Sequence, residues 1–144
     1  MVVLIHANKM KTQLTILTFV MALLLSALTG CTSKTKGLKE GGFYSIKNDN
    51  GTYSVLKLLK VENAGVHVRI YSNQFDEVPT KVDETTLVMV GLNHKKTETL
   101  GIADQPMAGE TFENLHATFV QQSTVSAAEL EGYNTWKVAN GKYF

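Results

Sequence analysis

From Phe43 onward apolar residues recur at every second position, and this period constrains the fold more than any other feature of the chain. In VHVRIYS (Val66 to Ser72), Val66, Val68 and Ile70 fall on one face and His67, Arg69 and Tyr71 on the other, as expected of a strand whose successive side chains point to opposite sides. FYSIK (Phe43 to Lys47) precedes Asn48-Asp49-Asn50-Gly51, whose Asn-Gly pair supplies the positive φ angles of a tight hairpin. TYSVLKLLKVEN then runs from Thr52 to Asn63, with Tyr53, Val55, Lys57, Leu59 and Val61 on one face and Ser54, Leu56, Leu58 and Lys60 on the other. Apolar groups on both faces predict a central strand, or one that bends between two sheets. With a turn at Ala64-Gly65, the three strands form an antiparallel meander.

The remainder alternates less regularly. NQFDEVPTKVDETTL reads as a connection, because Pro79 cannot donate to a ladder and Asp76, Glu77, Asp83 and Glu84 favour solvent. LVMVGL (Leu87 to Leu92) predicts a short buried strand, Asn93 to Lys96 a polar turn, and Thr97 to Ala103 a strand pairing back and closed off by Pro106. Gly109 to Leu115 has the content of a short helix, and His116 to Gln122 reads as another strand. Ser126 followed by Glu129 is a capping box. It predicts a C-terminal helix carrying Leu130, Tyr133, Trp136 and Val138, ended by Asn140-Gly141. The fold expected is mainly β: a small, strongly bent antiparallel sheet or a partly closed barrel, with one or two short helices including the C-terminal one.

The N-terminal segment has a different composition. Leu14 to Ala27 is a charge-free run of fourteen residues preceded by Lys9 and Lys11. As a helix it would be about 21 Å long, short of the roughly 30 Å hydrocarbon core, so it reads as a secretory signal rather than a permanent span. A start at Met10 gives the more ordinary signal. Leu28-Thr29-Gly30-Cys31 follows directly and resembles the lipobox of bacterial lipoproteins. The resemblance implies cleavage between Gly30 and Cys31, diacylglycerol on the Cys31 sulfur and often acylation of the new amino terminus. The chain divides accordingly into a removed leader at 1–30, a lipidated cysteine and flexible tether at 31–42, and a globular domain at 43–144. Membrane attachment is then through the N-terminal lipid. Thr32 stands where an Asp would resemble the inner-membrane retention signal of some Gram-negative lipoproteins, and the absence of that Asp mildly favours the outer membrane in a two-membrane cell.

The stretch from Gly41 to Ser72 is similar in order to SH3-like small barrels: a Gly-aromatic strand, a turn and a long bent strand. VHVRIYSNQFDEVPT and ELEGYNTWK resemble stretches of uncharacterised bacterial proteins, a likeness that implies no activity.

Chemistry-bearing patterns are sparse. The formal net charge is +1, and removal of Lys9 and Lys11 with the leader takes it to −1, so bulk electrostatics recruit no nucleic acid. One cysteine excludes an internal disulfide framework and multi-cysteine zinc modules. His6, His67, His94 and His116 lie in unrelated segments, and no HExxH, CxxC or GxSxG pattern occurs. No metal, cofactor or catalytic residue is therefore assigned. The distinctive set is His67, Arg69 and Tyr71 on one strand face, a candidate surface for an envelope protein because Arg and Tyr are enriched at binding hot spots. The competing account covers Tyr71 and Phe75 with the C-terminal helix and pairs Arg69 with a nearby acid. Trp136 reads as a core anchor. The function expected is a non-catalytic, lipid-anchored interaction module of the cell envelope. An immunity-type, toxin-neutralising lipoprotein and an envelope hydrolase follow in that order.

Overall fold

The computed structural model describes residues 34–91 and 100–144; the leader, Gly30, Cys31 and the Asn93 to Lys96 turn lie outside them. Strands β1 (Gly42–Lys47), β2 (Tyr53–Val61), β3 (Gly65–Phe75), β4 (Ile102–Ala108) and β5 (Thr118–Gln122) form one antiparallel sheet in the order β4-β3-β2-β1-β5. Helix α1 (Gly109–Asn114) joins β4 to β5, and helix α2 (Glu131–Val138) follows a 3-10 turn at Ala128–Leu130. The sheet is open, with β4 and β5 as its two edges, so of the two architectures expected it is the open sheet and not the closing barrel.

The meander forms where the alternation places it. Asn48 Nδ2 donates to Thr52 Oγ1 and Ser54 Oγ, both at 3.0 Å, and Gly51 takes a φ of 87° to close the first hairpin. The second hairpin is centred on Asn63-Ala64, one residue earlier than the sequence suggests: Glu62 and Gly65 exchange backbone hydrogen bonds of 2.9 and 3.3 Å. β2 is central, flanked by β1 and β3, which explains its apolar groups on both faces. Register shifts in all but the β1–β2 pairing mark bulges, which bend strands and raise their twist.

One face of the sheet is an apolar core. Tyr44, Leu56, Leu58, Val66 and Val68 pack there with Met107 and with Phe112 of α1. The Phe112 ring meets Tyr44 edge-on at 5.6 Å. Burying each such side chain contributes about 1.5–3 kcal/mol, enough to hold a six-residue helix that could not form alone. The opposite face begins with Phe43, Val55, Tyr71 and Val82 and carries the charged groups described below.

Four expectations are corrected. Residues 34–42 are not a free tether: Thr35 is buried and donates to the Glu62 carbonyl at 2.8 Å, Leu38 packs on the core, and Glu40 pairs with Lys60 at 2.7 Å. Gly41 adopts a φ of 82°, and a Cβ there would collide with the Ser123 carbonyl, so the lysine- and glycine-rich stretch is shaped to pack. Residues 87–91 form no strand, and Val88 and Met89 are exposed. They are held instead by side chains of β3: Asn73 Oδ1 accepts from Val88 N at 2.7 Å and Ser72 Oγ from Val90 N at 2.7 Å. Pro106 does not end a strand but lies within β4, opposite His67, where an edge position tolerates its missing N–H. The Ser126–Glu129 capping box forms as expected, but it caps the 3-10 turn, and α2 begins only at Glu131.

A candidate binding cleft over Lys57 and Arg69

Phe43, Lys57 and Arg69 occupy one register row across β1, β2 and β3. Lys57 and Arg69 of this row line a cleft of about 470 Å³, whose lining also includes Tyr71, Glu84, Leu87, Met89, Ser126 and Glu129; Phe43 is wholly buried behind them. Lys57 is 2% exposed. Its ammonium donates to Glu129 Oε1 at 2.9 Å and to Glu84 Oε2 at 3.3 Å, and sits 5.4 Å from the centre of the Phe43 ring. Arg69 Nη1 reaches the same Glu129 oxygen at 3.2 Å, while Arg69 Nε donates to the Ala103 carbonyl at 3.1 Å.

Glu129 organises the group. Its Oε2 accepts from the Ser126 amide at 2.9 Å, completing the capping box, and its Oε1 takes both cations. Burial pushes its carboxyl up, but the Ser126 amide and the Lys57 ammonium outweigh burial and hold it below the usual glutamate range. Glu84 is held less firmly. It belongs to a 3-10 turn at Glu84–Thr86, and its other oxygen accepts a hydrogen bond from the Ser123 hydroxyl. The turn is fastened on either side by side-chain amides: Gln121 pairs with both backbone groups of Val82 at 2.9 and 3.0 Å, and Asn73 Nδ2 donates to the Thr86 carbonyl at 3.1 Å.

The three residues singled out by alternation do share this face, but it is not an open one. Tyr71 is buried against Phe43, with ring centres 6.0 Å apart, and burial pushes its hydroxyl up. Arg69 pairs with an acid, as the competing account expects. His67 is wholly buried, and the 0% exposure corrects its reading as an outward residue. Its Nδ1 lies 2.8 Å from Asp104 Oδ1. Its ring is boxed edge-to-face by Trp136, Tyr133 and Tyr143, with centres 4.5, 4.9 and 5.6 Å away.

This aromatic box fastens the C-terminus. Glu62, on the β2–β3 turn, accepts from Tyr133 at 2.6 Å and from Tyr143 at 2.8 Å. These two hydroxyls, with Lys137, hold its carboxyl below the usual range; burial and Glu62 in turn push the Tyr143 hydroxyl up. The tail returns beneath Trp136, where a Cβ on Gly141 would clash with the indole, and Ala108 N donates to the Phe144 carbonyl at 2.8 Å. Trp136 is thus an anchor, on His67. His67 Nε2 finds no hydrogen-bond partner within the box.

Sequence reading missed Lys57, Glu84 and Glu129 as a site. The available signal was Lys57 itself, a cation in the middle of the run Val55-Leu56-Lys57-Leu58-Leu59, where alternation alone places an apolar group. Among the described residues no group of three or more His, Cys, Asp and Glu side chains is arranged to hold a metal, and no helix is long and apolar enough to cross a membrane. Compared with known proteins, the chain matches no family, no curated protein and no solved structure.

Proposed function

We propose that this protein is a lipid-anchored interaction module of the bacterial cell envelope, held by diacylglycerol on Cys31 and engaging an envelope partner through the cleft over Arg69 and Tyr71. The observation that carries the reading is Leu28-Thr29-Gly30-Cys31 placed directly after a fourteen-residue charge-free run, with the chain's sole cysteine at the position the motif requires. Each buried methylene of an acyl chain contributes about 0.8 kcal/mol, so two or three chains anchor stably where one is marginal. Because Thr35 is buried and bonded to the Glu62 carbonyl, only about four peptide units separate the packed domain from Cys31, a reach of at most about 14 Å. The cleft suits a binding role because it combines charged donors with the exposed apolar side chain of Met89.

Metabolic labelling with a palmitate analogue tests the anchor. Label should enter the wild-type chain and vanish in Cys31→Ser; unlabelled wild-type protein in the soluble fraction would contradict it. Affinity capture from envelope extract with the mature chain tests the partner. The Arg69→Ala, Tyr71→Ala double variant should lose whatever the wild type retains, and equal retention would place the partner elsewhere.

A further inference from the structure

Lys57 poses a question that the fold does not answer. A methionine would fill the same space without stripping water from an ion, and replacing a buried ion pair by apolar groups is often neutral or stabilising. The ammonium is nonetheless retained at the floor of a cleft, where its two carboxylate partners are held unequally. Glu129 is 14% exposed and tied to the backbone of its own turn through the Ser126 amide as well as to both cations. Glu84, whose second oxygen takes only the Ser123 hydroxyl, is 42% exposed and sits at the longer distance of 3.3 Å from the ammonium. Its backbone is fastened through Val82 and Thr86, so its side chain can rotate to solvent without moving the turn.

Rotation of Glu84 would leave the Lys57 ammonium and the Ser123 hydroxyl facing an empty position. Lys57 and Arg69 against Glu129 would then leave one positive charge, which a single negative charge neutralises and a dianion overshoots. Leu87 and Met89 in the lining suit a short apolar stem behind that charge. We infer that the cleft binds a monocarboxylate on a short apolar stem, and that Glu84 is its internal placeholder. This rests on the reading of the cleft as the binding surface and specifies what it recognises.

The test titrates the mature chain, in uncharged detergent micelles, with butyrate, N-acetylglutamate α-amide, butylamine and inorganic phosphate, following the backbone amide resonances of Ser123, Glu84 and Ser126. Both carboxylates should shift these resonances saturably. Glu84→Gln, which discharges the placeholder, should tighten butyrate about fivefold, the scale of one partly exposed ion pair. Lys57→Met should abolish the shifts, its folding checked by the dispersion of the remaining resonances. Tighter binding of the glutamate amide identifies an acidic side chain of a protein partner, and tighter binding of butyrate a free small acid; either upholds the inference. Preference for butylamine or phosphate, absence of saturation, or unchanged or weaker binding in Glu84→Gln overturns it. If the Arg69→Ala, Tyr71→Ala variant loses its envelope partner while no carboxylate binds, the ligand class fails and the binding surface stands.

Discussion

Both faces of the sheet are covered by a short helix, α1 of six residues and α2 of eight, yet the two coverings work by different physics. Under α1 the contacts are apolar throughout, from Tyr44 and Leu58 to Phe112. Beneath α2 and its preceding turn lie Lys57, His67 and Arg69, each answered by a carboxylate: Glu129, Asp104 and Glu129 again. The apolar face needs only volume and hydrophobicity in the right period. The polar face needs every partner placed, because an unpaired buried group costs about 1–3 kcal/mol and a charged one more. Such a surface is a poor way to gain stability but a ready way to recognise a ligand, and under the proposed reading of the cleft the difference between the faces separates folding from function.

That contrast can be attacked from both sides. Leu58→Ala, at a wholly buried position of the apolar face, should cost about 3 kcal/mol in denaturant unfolding; a loss under about 1 kcal/mol would mean that this face is not the main core. Glu129→Ala removes a cap and the shared acceptor of two cations and should cost about 2 kcal/mol, with Glu129→Gln recovering part of it. Acid sensitivity should belong to the polar face alone. The carboxyls of Glu129 and Glu62 are held below the ordinary value of 4.5, so their stabilisation is present above that pH and is lost as pH falls through the folded-state values. Melting temperature should therefore drop below about pH 4.5, and a Glu62→Gln, Glu129→Gln double variant should flatten that limb; an unchanged limb would assign it to other carboxylates. Tyr143→Phe deletes one hydrogen bond to Glu62 and should cost about 1 kcal/mol, with a change in the fluorescence of Trp136, the sole tryptophan.

The apolar face was legible in the sequence because period two is a local property: Val66, Val68 and Ile70 announce their side of β3, and the meander follows from the Asn-Gly turn and short loops. The capping box was equally local. What escaped depends on contacts distant in sequence. Lys57 and Glu129 are 72 residues apart, and no spacing rule connects them. The polar triad His67, Arg69 and Tyr71 was found as a face, and pairing of Arg69 with an acid was one of the two accounts weighed; the burial of His67 was not foreseen, since Tyr133, Trp136 and Tyr143, which box it, arrive only with the C-terminal segment. Residues 34–42 misled for a related reason. Lysine and glycine usually mark a solvated linker, whereas here Gly41 serves the close approach of Ser123 and Thr35 caps a turn of another hairpin.

The most direct test of the central claim, that the Lys57 charge on the polar face serves recognition and not folding, is the unfolding free energy of Lys57→Met. The account predicts a value within about 1 kcal/mol of wild type, since methionine fills the site while Glu129 keeps Arg69 and Ser126. A loss of about 3 kcal/mol or more, the scale of a broken structural ion pair, would make the buried ammonium a part of the core and contradict it.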